Sequence, residues 1–213
     1  MKKMKRKGPL FYRFICAGFG WIFRFFYRIH VVGSENEPET GPYLVCANHI
    51  SAVDPILLTI ALHRQVCFMG KKELFKIPGL AQLIRALGAF PVDRKSGDVS
   101  AVKHSIQLLK SGKNVGLFPQ GTRHPGEDPR TTTVRNGAAM IAYRAEASVL
   151  PMYIHRKNNT PKLFRKTVVV IGKPIPFSEF GYDPEQKGEY NRISREIFDR
   201  ICALGEGLPS CEK

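Results

Sequence analysis

The chain has 213 residues, which suits one domain around a single core and is too short for two full domains. Apolar residues make up 43% of the sequence, which excludes intrinsic disorder, and their runs are too interrupted for a multispanning membrane protein. Lys and Arg number 33 against 18 Asp and Glu, and the formal net charge of +15 predicts attraction to nucleic acid, an anionic membrane or a phosphorylated substrate.

The cysteines are odd in number and scattered, and no two of them form a C-x-x-C pair. This spacing indicates neither a disulfide framework nor a zinc site, so we expect a protein of the reducing cytoplasm with no metal. The five are Cys16, Cys46, Cys67, Cys202 and Cys211.

The first thirty residues carry eight basic side chains and no acidic one, and they include the aromatic stretch 10–27. Arg13 and Arg24 leave only ten uncharged residues between them, too few for a membrane span of about 20 residues. At 100° per residue, Arg13, Arg24 and Arg28 share one helix face. The apolar set on the opposite face is Phe11, Phe14, Ile15, Gly18, Trp21, Ile22, Phe25 and Phe26.

Two interpretations of this amphipathic helix remain open. Its aromatic face could pack on the domain's own core, which is the commoner fate of such a face. We favour a helix lying in the interface of an anionic bilayer, because eight bases without an acid are unusual for a merely solvated face. Residues 1–32 are therefore predicted to be a membrane-associating segment, and residues 33–213 the domain that follows. A signal peptide fits poorly because Arg13 interrupts the apolar region.

Beyond residue 41, short apolar runs alternate with helical patterns. Strands are predicted at 43–47, 65–69, 89–92, 114–118, 149–154 and 166–171. Helices are predicted to begin at Asp54 and Asp183 and to cover 79–87, 98–111 and 136–146. This alternation predicts an α/β fold with a mostly parallel, mixed central sheet flanked by helices, whose sites gather beyond the carboxyl ends of the strands.

The sharpest candidate site follows the first core strand, at residues 48–54. A turn at the strand end brings His49 within reach of Asp54, whose carboxylate fixes the imidazole tautomer and leaves the other ring nitrogen as a general base. The alternative makes Asp54 only a helix N-cap before Pro55 and His49 an ordinary turn residue.

A second candidate lies at residues 118–123, again where a strand ends. Gly121 permits close backbone approach, Thr122 and nearby N–H groups can donate to an oxyanion, and Arg123 offers a bidentate fork for phosphate. A P-loop is excluded because Thr122 stands where that motif requires Lys. A plain turn with a surface arginine is the alternative.

Further cations follow other strands, namely Arg94 after Asp93, and Lys71 with Lys72. Each is nonspecific alone, and Arg94 could equally be a surface ion-pair partner. Because all these segments lie at strand ends, a base and several phosphate-sized cation sites are expected to converge.

Together these segments resemble the glycerolipid acyltransferases of phospholipid synthesis, specifically the bacterial 1-acyl-glycerol-3-phosphate acyltransferases. Residues 48–54 are similar to that family's NH-x4-D block, 88–94 to its G-x-x-x-x-D-R block, 118–123 to its F-P-E-G-T-R block and 150–154 to its apolar-proline block. Supporting likenesses occur at 71–74, 135–138 and 171–175. The likeness covers residues 31–176 in family order.

The resemblance implies that His49 takes a proton from the free hydroxyl of lysophosphatidic acid and that Asp54 orients His49. The acceptor oxygen then attacks an acyl thioester of CoA or acyl carrier protein directly, without an acyl-enzyme, so Cys46 is core and no cofactor is needed. Arg94, Arg123 and Lys71 or Lys72 would hold the acceptor phosphate, and Gly121 with Thr122 would line the acyl-transfer region. The protein would work at the cytoplasmic face of the cell membrane, as a peripheral or monotopic enzyme.

Gln120 stands where the family usually has Glu, which keeps a carbonyl acceptor but removes the negative charge. This departure concerns the acceptor, which could instead be glycerol-3-phosphate or another lysophospholipid. An alternative of a different class is a nonenzymatic basic module that binds membrane or nucleic acid. The bases show no groove-entering motif, so nucleic acid is not expected as a partner.

Overall fold

The computed structural model of the protein describes residues 9–92 and 99–208. Its strands within these ranges are β1 (Ile29–Val32), β2 (Tyr43–Ala47), β3 (Val66–Lys71), β4 (Phe90–Val92), β5 (Asn114–Leu117), β6 (Ser148–Arg156) and β7 (Thr167–Ile171). Its α-helices are α1 (Leu10–Tyr27), α2 (Asp54–Ala61), α3 (Leu80–Ala86), α4 (Val99–Lys110), α5 (Gly137–Ala145) and α6 (Glu189–Ala203).

The strands form one sheet in the order β1-β7-β6-β2-β5-β3-β4. Every neighbouring pair is parallel except β6 with β7, so the predicted mostly parallel, mixed sheet is confirmed. The edge strand β1 was not predicted, because four residues directly after a helix carry little periodicity. The sheet therefore begins inside the segment that the sequence placed before the domain.

Helices cover both faces of the sheet, as expected for an α/β fold. Along β2, Leu44 and Cys46 point to the core beneath α5 and α6, whereas Tyr43 and Val45 point to the core beneath α2. This alternation follows from the two-residue period of a strand, and burial on both faces explains why β2 is apolar throughout.

The final helix begins later than the sequence predicted. Asp183 does not start it, because its carboxylate accepts a hydrogen bond from the Glu185 amide at 2.9 Å and so closes a turn. Gly188, with a φ of 86°, precedes the actual start at Glu189. The apolar face of this helix, which includes Ile193 and Ile197, packs into the core.

Helix α1 packs on the domain through a stripe spaced by three or four residues. Tyr12, Cys16 and Gly20 are buried, and Phe23 and Tyr27 continue the stripe half-buried. The described side chains of the opposite face are solvent-exposed, and they are Leu10, Phe14, Trp21, Ile22, Phe25 and Phe26. We call these six the outer face of α1. No helix in the described part of the chain is both long enough and apolar enough to span a bilayer.

Candidate active site

His49 and Asp54 meet directly in the turn after β2, which is the first of the two alternatives that the sequence left open. His49 Nδ1 lies 2.9 Å from Asp54 Oδ2, and both side chains are buried in the loop between β2 and the start of α2. A carboxylate accepts only, so the imidazole is the donor in this pair and Nδ1 carries the proton. This tautomer leaves Nε2 with a lone pair for a substrate proton.

Asp54 is not an N-cap. Its Oδ2 accepts hydrogen bonds from the amides of Ile50 at 2.7 Å and Ser51 at 2.6 Å, which lie upstream of it. The N-cap position of α2 is occupied by Val53, whose side chain makes no capping hydrogen bond. The turn before α2 is therefore built around the carboxylate, which fixes its position against the imidazole.

Arg156, the last residue of β6, is a third member of this arrangement that the sequence did not reveal. Its Nη1 lies 3.4 Å from Asp54 Oδ1, and its Nε donates to Thr167 Oγ1 at 3.3 Å. The Tyr27 ring lies 5.7 Å from the guanidinium carbon. Burial lowers the pKa of Arg156, whose side chain is 3% exposed, while the charge of Asp54 acts against that shift. Arg156 thus supplies the counter-charge for a fully buried carboxylate.

A stack of rings holds the imidazole in place. The His49 ring lies 3.9 Å from the Phe118 ring at an interplanar angle of 12°, and Phe118 stacks in turn on Phe68 at 6.0 Å. The Phe68 ring requires a glycine at position 116, since a Cβ there would lie 2.2 Å from it. Phe118 was predicted as the end of a strand and the first residue of the candidate segment 118–123, without a role of its own, and the structure stacks its ring on the imidazole.

A cavity of about 320 Å³ opens beside this pair. His49, Gly121 and Arg135 contribute the polar part of its lining, together with the start of α5. Its apolar part is formed by Met69, Val92, Ala101, Val102, Leu117 and Ile141. A mostly apolar cavity with a few polar groups is typical of a ligand site.

Gln120 is 2% exposed, and both ends of its side chain are hydrogen-bonded within the protein. Its Oε1 accepts from the His49 amide at 2.7 Å, and its Nε2 donates to Thr132 Oγ1 at 2.8 Å. The side chain therefore ties the His49 loop to the loop after β5. The predicted contact with the acceptor stays a prediction.

Of the predicted residues on the loop after β5, Gly121 lines the cavity, whereas Thr122 and Arg123 are not among its lining residues. Gly121 lines it with a φ of 73°, while its N–H donates to Phe118 O at 2.9 Å and is therefore engaged in the turn. Thr122 and Arg123 are exposed. The next amide, that of His124, donates to His49 O at 2.9 Å and joins this loop to the base.

Arg135 lies against Gly121, so closely that a Cβ at position 121 would be 2.6 Å from Arg135 Nε. The sequence showed it only within a supporting stretch and assigned it no role. Neither Arg135 nor Arg123 has an ion-pair partner in the described part of the chain, so both guanidinium groups can receive an anion.

The remaining predicted cations are less constrained. Lys71 ends β3 and makes only a long ion pair with Glu73, at 3.8 Å between two exposed side chains. Lys72 follows it in a 3-10 turn and is also exposed. Arg94 lies outside the described residues, so its predicted phosphate contact stays a prediction.

Cys46 lies two residues before the Asn48–His49 pair but has no access to substrate. It is fully buried in the core, and burial raises the pKa of its thiol well above the usual range. A thiol of raised pKa in an apolar core is inert, which agrees with its prediction as a core residue.

A second histidine–carboxylate pair shows that pairing alone does not make a site. His63 Nδ1 lies 3.0 Å from Glu37 Oε2, and the amides of His63 and Arg64 also donate to Glu37. This pair lies near the amino end of β3, whereas His49 follows the carboxyl end of β2, and it does not line the cavity beside His49.

The family comparison covers the part of the chain that carries this site. Residues 28–155 match the Acyltransferase family profile, a range that includes His49, Asp54 and the loop 118–123. The chain is 31% identical over 183 residues to the 1-acyl-sn-glycerol-3-phosphate acyltransferase of Bacillus subtilis (strain 168), which is 84% of this chain and 84% of that protein. It is 38% identical over 165 residues to the protein of that name from Streptococcus pneumoniae (strain ATCC BAA-255 / R6), which is 75% of this chain and 60% of that protein.

A solved structure shows the same fold. The crystal structure of the 1-acyl-sn-glycerophosphate (LPA) acyltransferase, PlsC, from Thermotoga maritima superposes with a TM-score of 0.69 at 28% sequence identity. The match covers 94% of this chain and 80% of that one. The similarity therefore covers the α/β fold with its mostly parallel sheet and flanking helices.

Proposed function

The chain belongs to the acyltransferase family, as its motif blocks predicted, and from this premise we propose that it acylates the free hydroxyl of 1-acyl-glycerol-3-phosphate to give phosphatidic acid. The donor is an acyl thioester of CoA or acyl carrier protein. The relatives' names favour this reaction over acylation of glycerol-3-phosphate or of another lysophospholipid.

In this reaction His49 Nε2 takes the proton of the acceptor hydroxyl while Asp54 stabilises the imidazolium that forms. The acceptor oxygen attacks the carbonyl carbon of the thioester and forms the new C–O bond. The tetrahedral intermediate then expels the thiolate as its C–S bond breaks. The thiolate takes the proton back from His49, so the enzyme returns to its starting state with no acyl-enzyme.

The apolar and polar lining residues of the cavity suit different parts of the substrates. The apolar part is lined by aliphatic side chains and accommodates an acyl chain. The acceptor phosphate is bound by Arg135, which lines the cavity, and by Arg123, which is exposed on the same loop after β5. Lys71, Lys72 and Arg94 remain further proposed phosphate ligands.

A single observation carries this proposal: His49 lines the cavity while its Nδ1 is paired with Asp54. A nonenzymatic basic module needs no buried base beside a cavity. The second pair, His63 with Glu37, has the same hydrogen bond, but His63 does not line this cavity. That pair therefore supports no catalytic assignment.

The acceptor is tested with purified protein, an acyl-CoA and a panel of lysophosphatidate, glycerol-3-phosphate and lysophosphatidylcholine. We expect kcat/KM for lysophosphatidate to exceed the other two by more than about tenfold, since glycerol-3-phosphate lacks an acyl chain and the choline of lysophosphatidylcholine offsets the negative charge of its phosphate. Thioester consumption measures the rate. Equal consumption with glycerol-3-phosphate would assign the alternative acceptor, and consumption with none of the three would refute the enzymatic proposal.

We further propose that the protein binds the cytoplasmic face of the cell membrane through its N-terminal segment. Trp21 and Phe25 lie on the outer face of α1, and the five bases among residues 2–7 precede that helix in the sequence. An exposed aromatic face next to a cationic stretch is typical of interfacial helices. The alternative that this face packs on the domain's own core is disfavoured by the exposure of its side chains.

Trp21 reports on this binding because it is the only tryptophan in the chain and is 72% exposed. Adding phosphatidylglycerol vesicles is expected to shift its fluorescence emission to shorter wavelength as the indole leaves water. Neutral phosphatidylcholine vesicles should give a weaker shift that high salt does not reduce further. Unchanged emission, together with protein that stays in the supernatant after vesicle sedimentation, would contradict the proposal.

A further inference from the structure

The loop between β6 and β7, residues 157–166, carries two exposed apolar side chains at its tip. Leu163 is 55% exposed and Phe164 is 56% exposed. The Phe164 ring packs on two residues of the outer face of α1, at 5.2 Å from Phe26 and 6.3 Å from Phe25. These four residues form one continuous apolar surface, which we call the loop patch.

The loop maintains this exposure at a conformational cost. Phe164 has a φ of 60°, in the left-handed region that a bulky side chain rarely adopts. Its amide donates to Phe26 O at 2.6 Å, which couples the loop to the end of α1. An aromatic ring that faces solvent does not stabilise the core. The backbone strain at Phe164 therefore points to a functional role for this residue.

The loop patch is surrounded by positive charge. The loop contains no acidic residue, and its bases are Lys157, Lys162, Arg165 and Lys166. Lys162 and Arg165, which flank the apolar tip, are exposed, and Arg28 adds another exposed cation at the end of α1. A cationic rim around an apolar centre complements an anionic bilayer, which offers phosphates above acyl chains.

Topology places the loop patch on the same side of the molecule as the active site. Strands β6 and β2 are parallel, so the loop begins at the carboxyl end of β6, beside the carboxyl end of β2 that His49 follows. The Gly126 amide donates to Asn159 O at 2.9 Å, and Asn159 Nδ2 donates to Glu127 O at 2.8 Å. These bonds join the loop to the segment that continues from residues 118–123.

We propose that the loop patch is a second membrane contact, in which Leu163 and Phe164 enter the bilayer beside the outer face of α1. Two contacts fix the rotation of the domain, whereas one helix leaves it free to turn. The side of the domain that carries the active site then faces the lipid surface. This inference rests on the proposed function in so far as that function supplies a lipid substrate.

The first test removes the apolar tip without disturbing the backbone. Asn tolerates a positive φ, so the double variant Leu163→Ser/Phe164→Asn keeps the loop conformation. Its partitioning to vesicles of equal phosphatidylcholine and phosphatidylglycerol is expected to fall by about tenfold in sedimentation. Val32→Ser is the matched control, because Val32 is 49% exposed at the end of β1 that points away from this loop. An unchanged melting temperature verifies folding of both variants.

The second test places a reporter in the loop. The variant Trp21→Phe/Phe164→Trp moves the only tryptophan to the loop tip, and its emission is expected to shift to shorter wavelength on vesicle addition. If the reporter protein sediments with vesicles and its emission is unchanged, the loop stays in water and the inference is overturned. Arg165→Gln is expected to weaken binding, whereas Lys173→Gln, at an exposed site beyond β7, is not.

These outcomes are separable from failure of the proposed reaction. Turnover is measured with a short-chain lysophosphatidate below its micellar concentration, where the loop variant is expected to equal the wild type. Absence of turnover in both proteins refutes the reaction and leaves the vesicle result standing. A variant that binds vesicles normally but has a raised KM for acyl carrier protein alone would assign the loop patch to that acidic protein and overturn the membrane contact.

Discussion

Replacing His49 with alanine is expected to lower kcat for acyl transfer by about 10²–10⁴-fold, because the acceptor hydroxyl loses its general base. The KM for the acceptor should change little, since the arginines proposed to bind its phosphate remain. Single-turnover thioester consumption measures the effect. Retained wild-type kcat in a folded variant would refute the assignment of His49 as the base.

The second histidine–carboxylate pair supplies a matched control for this variant. His63 makes the same Nδ1 hydrogen bond to a buried carboxylate, that of Glu37, and it does not line the cavity beside His49. His63→Ala should therefore cost stability and leave kcat unchanged. A loss of kcat in both variants would show that the effect on His49 is structural, so the pair of variants separates chemistry from folding.

Replacing Arg156 with methionine is expected to be the most disruptive single change to the site. It leaves the Asp54 carboxylate buried without its counter-charge, and breaking such a pair costs about 3–5 kcal/mol. That cost is a large part of an ordinary free energy of unfolding. Urea unfolding measures it, and Arg156→Lys should recover part of the stability because it keeps the charge.

Two further measurements separate a positioning role of Arg156 from a purely structural one. In the variant Asp54→Asn the carboxylate is gone, so adding Arg156→Met should cost less than it does in the wild type, and the double-mutant cycle gives the coupling energy. Loss of the positive charge should also lower kcat in the folded variant, since Asp54 without its counter-charge no longer holds His49 in position, and Arg156→Lys should recover part of that kcat. Additive free energies and an unchanged kcat would contradict the role.

The contact between His49 and Asp54 could be predicted because both residues lie in one strand-end turn, where a spacing of five suffices. The role of Arg156 could not, because it depends on β6 lying beside β2, and no local pattern distinguishes this arginine from the other bases of the chain. The position of Gln120 in a family block suggested an acceptor contact. Its hydrogen bonds to the His49 amide and Thr132 depend on how two loops meet, and the sequence of either loop does not contain that information.

The sequence by itself determined the α/β class, the family and the pair of residues proposed for catalysis, because apolar periodicity and short motifs are local properties of the chain. It also located the basic, aromatic helix at the N-terminus but left open which face of that helix is buried. Tertiary structure decided that question, since α1 uses its Tyr12 stripe to pack on the domain and leaves Trp21 in solvent. It also decided that Arg156 neutralises Asp54 and that Phe164 joins the outer face of α1, because such contacts arise only when distant segments pack together.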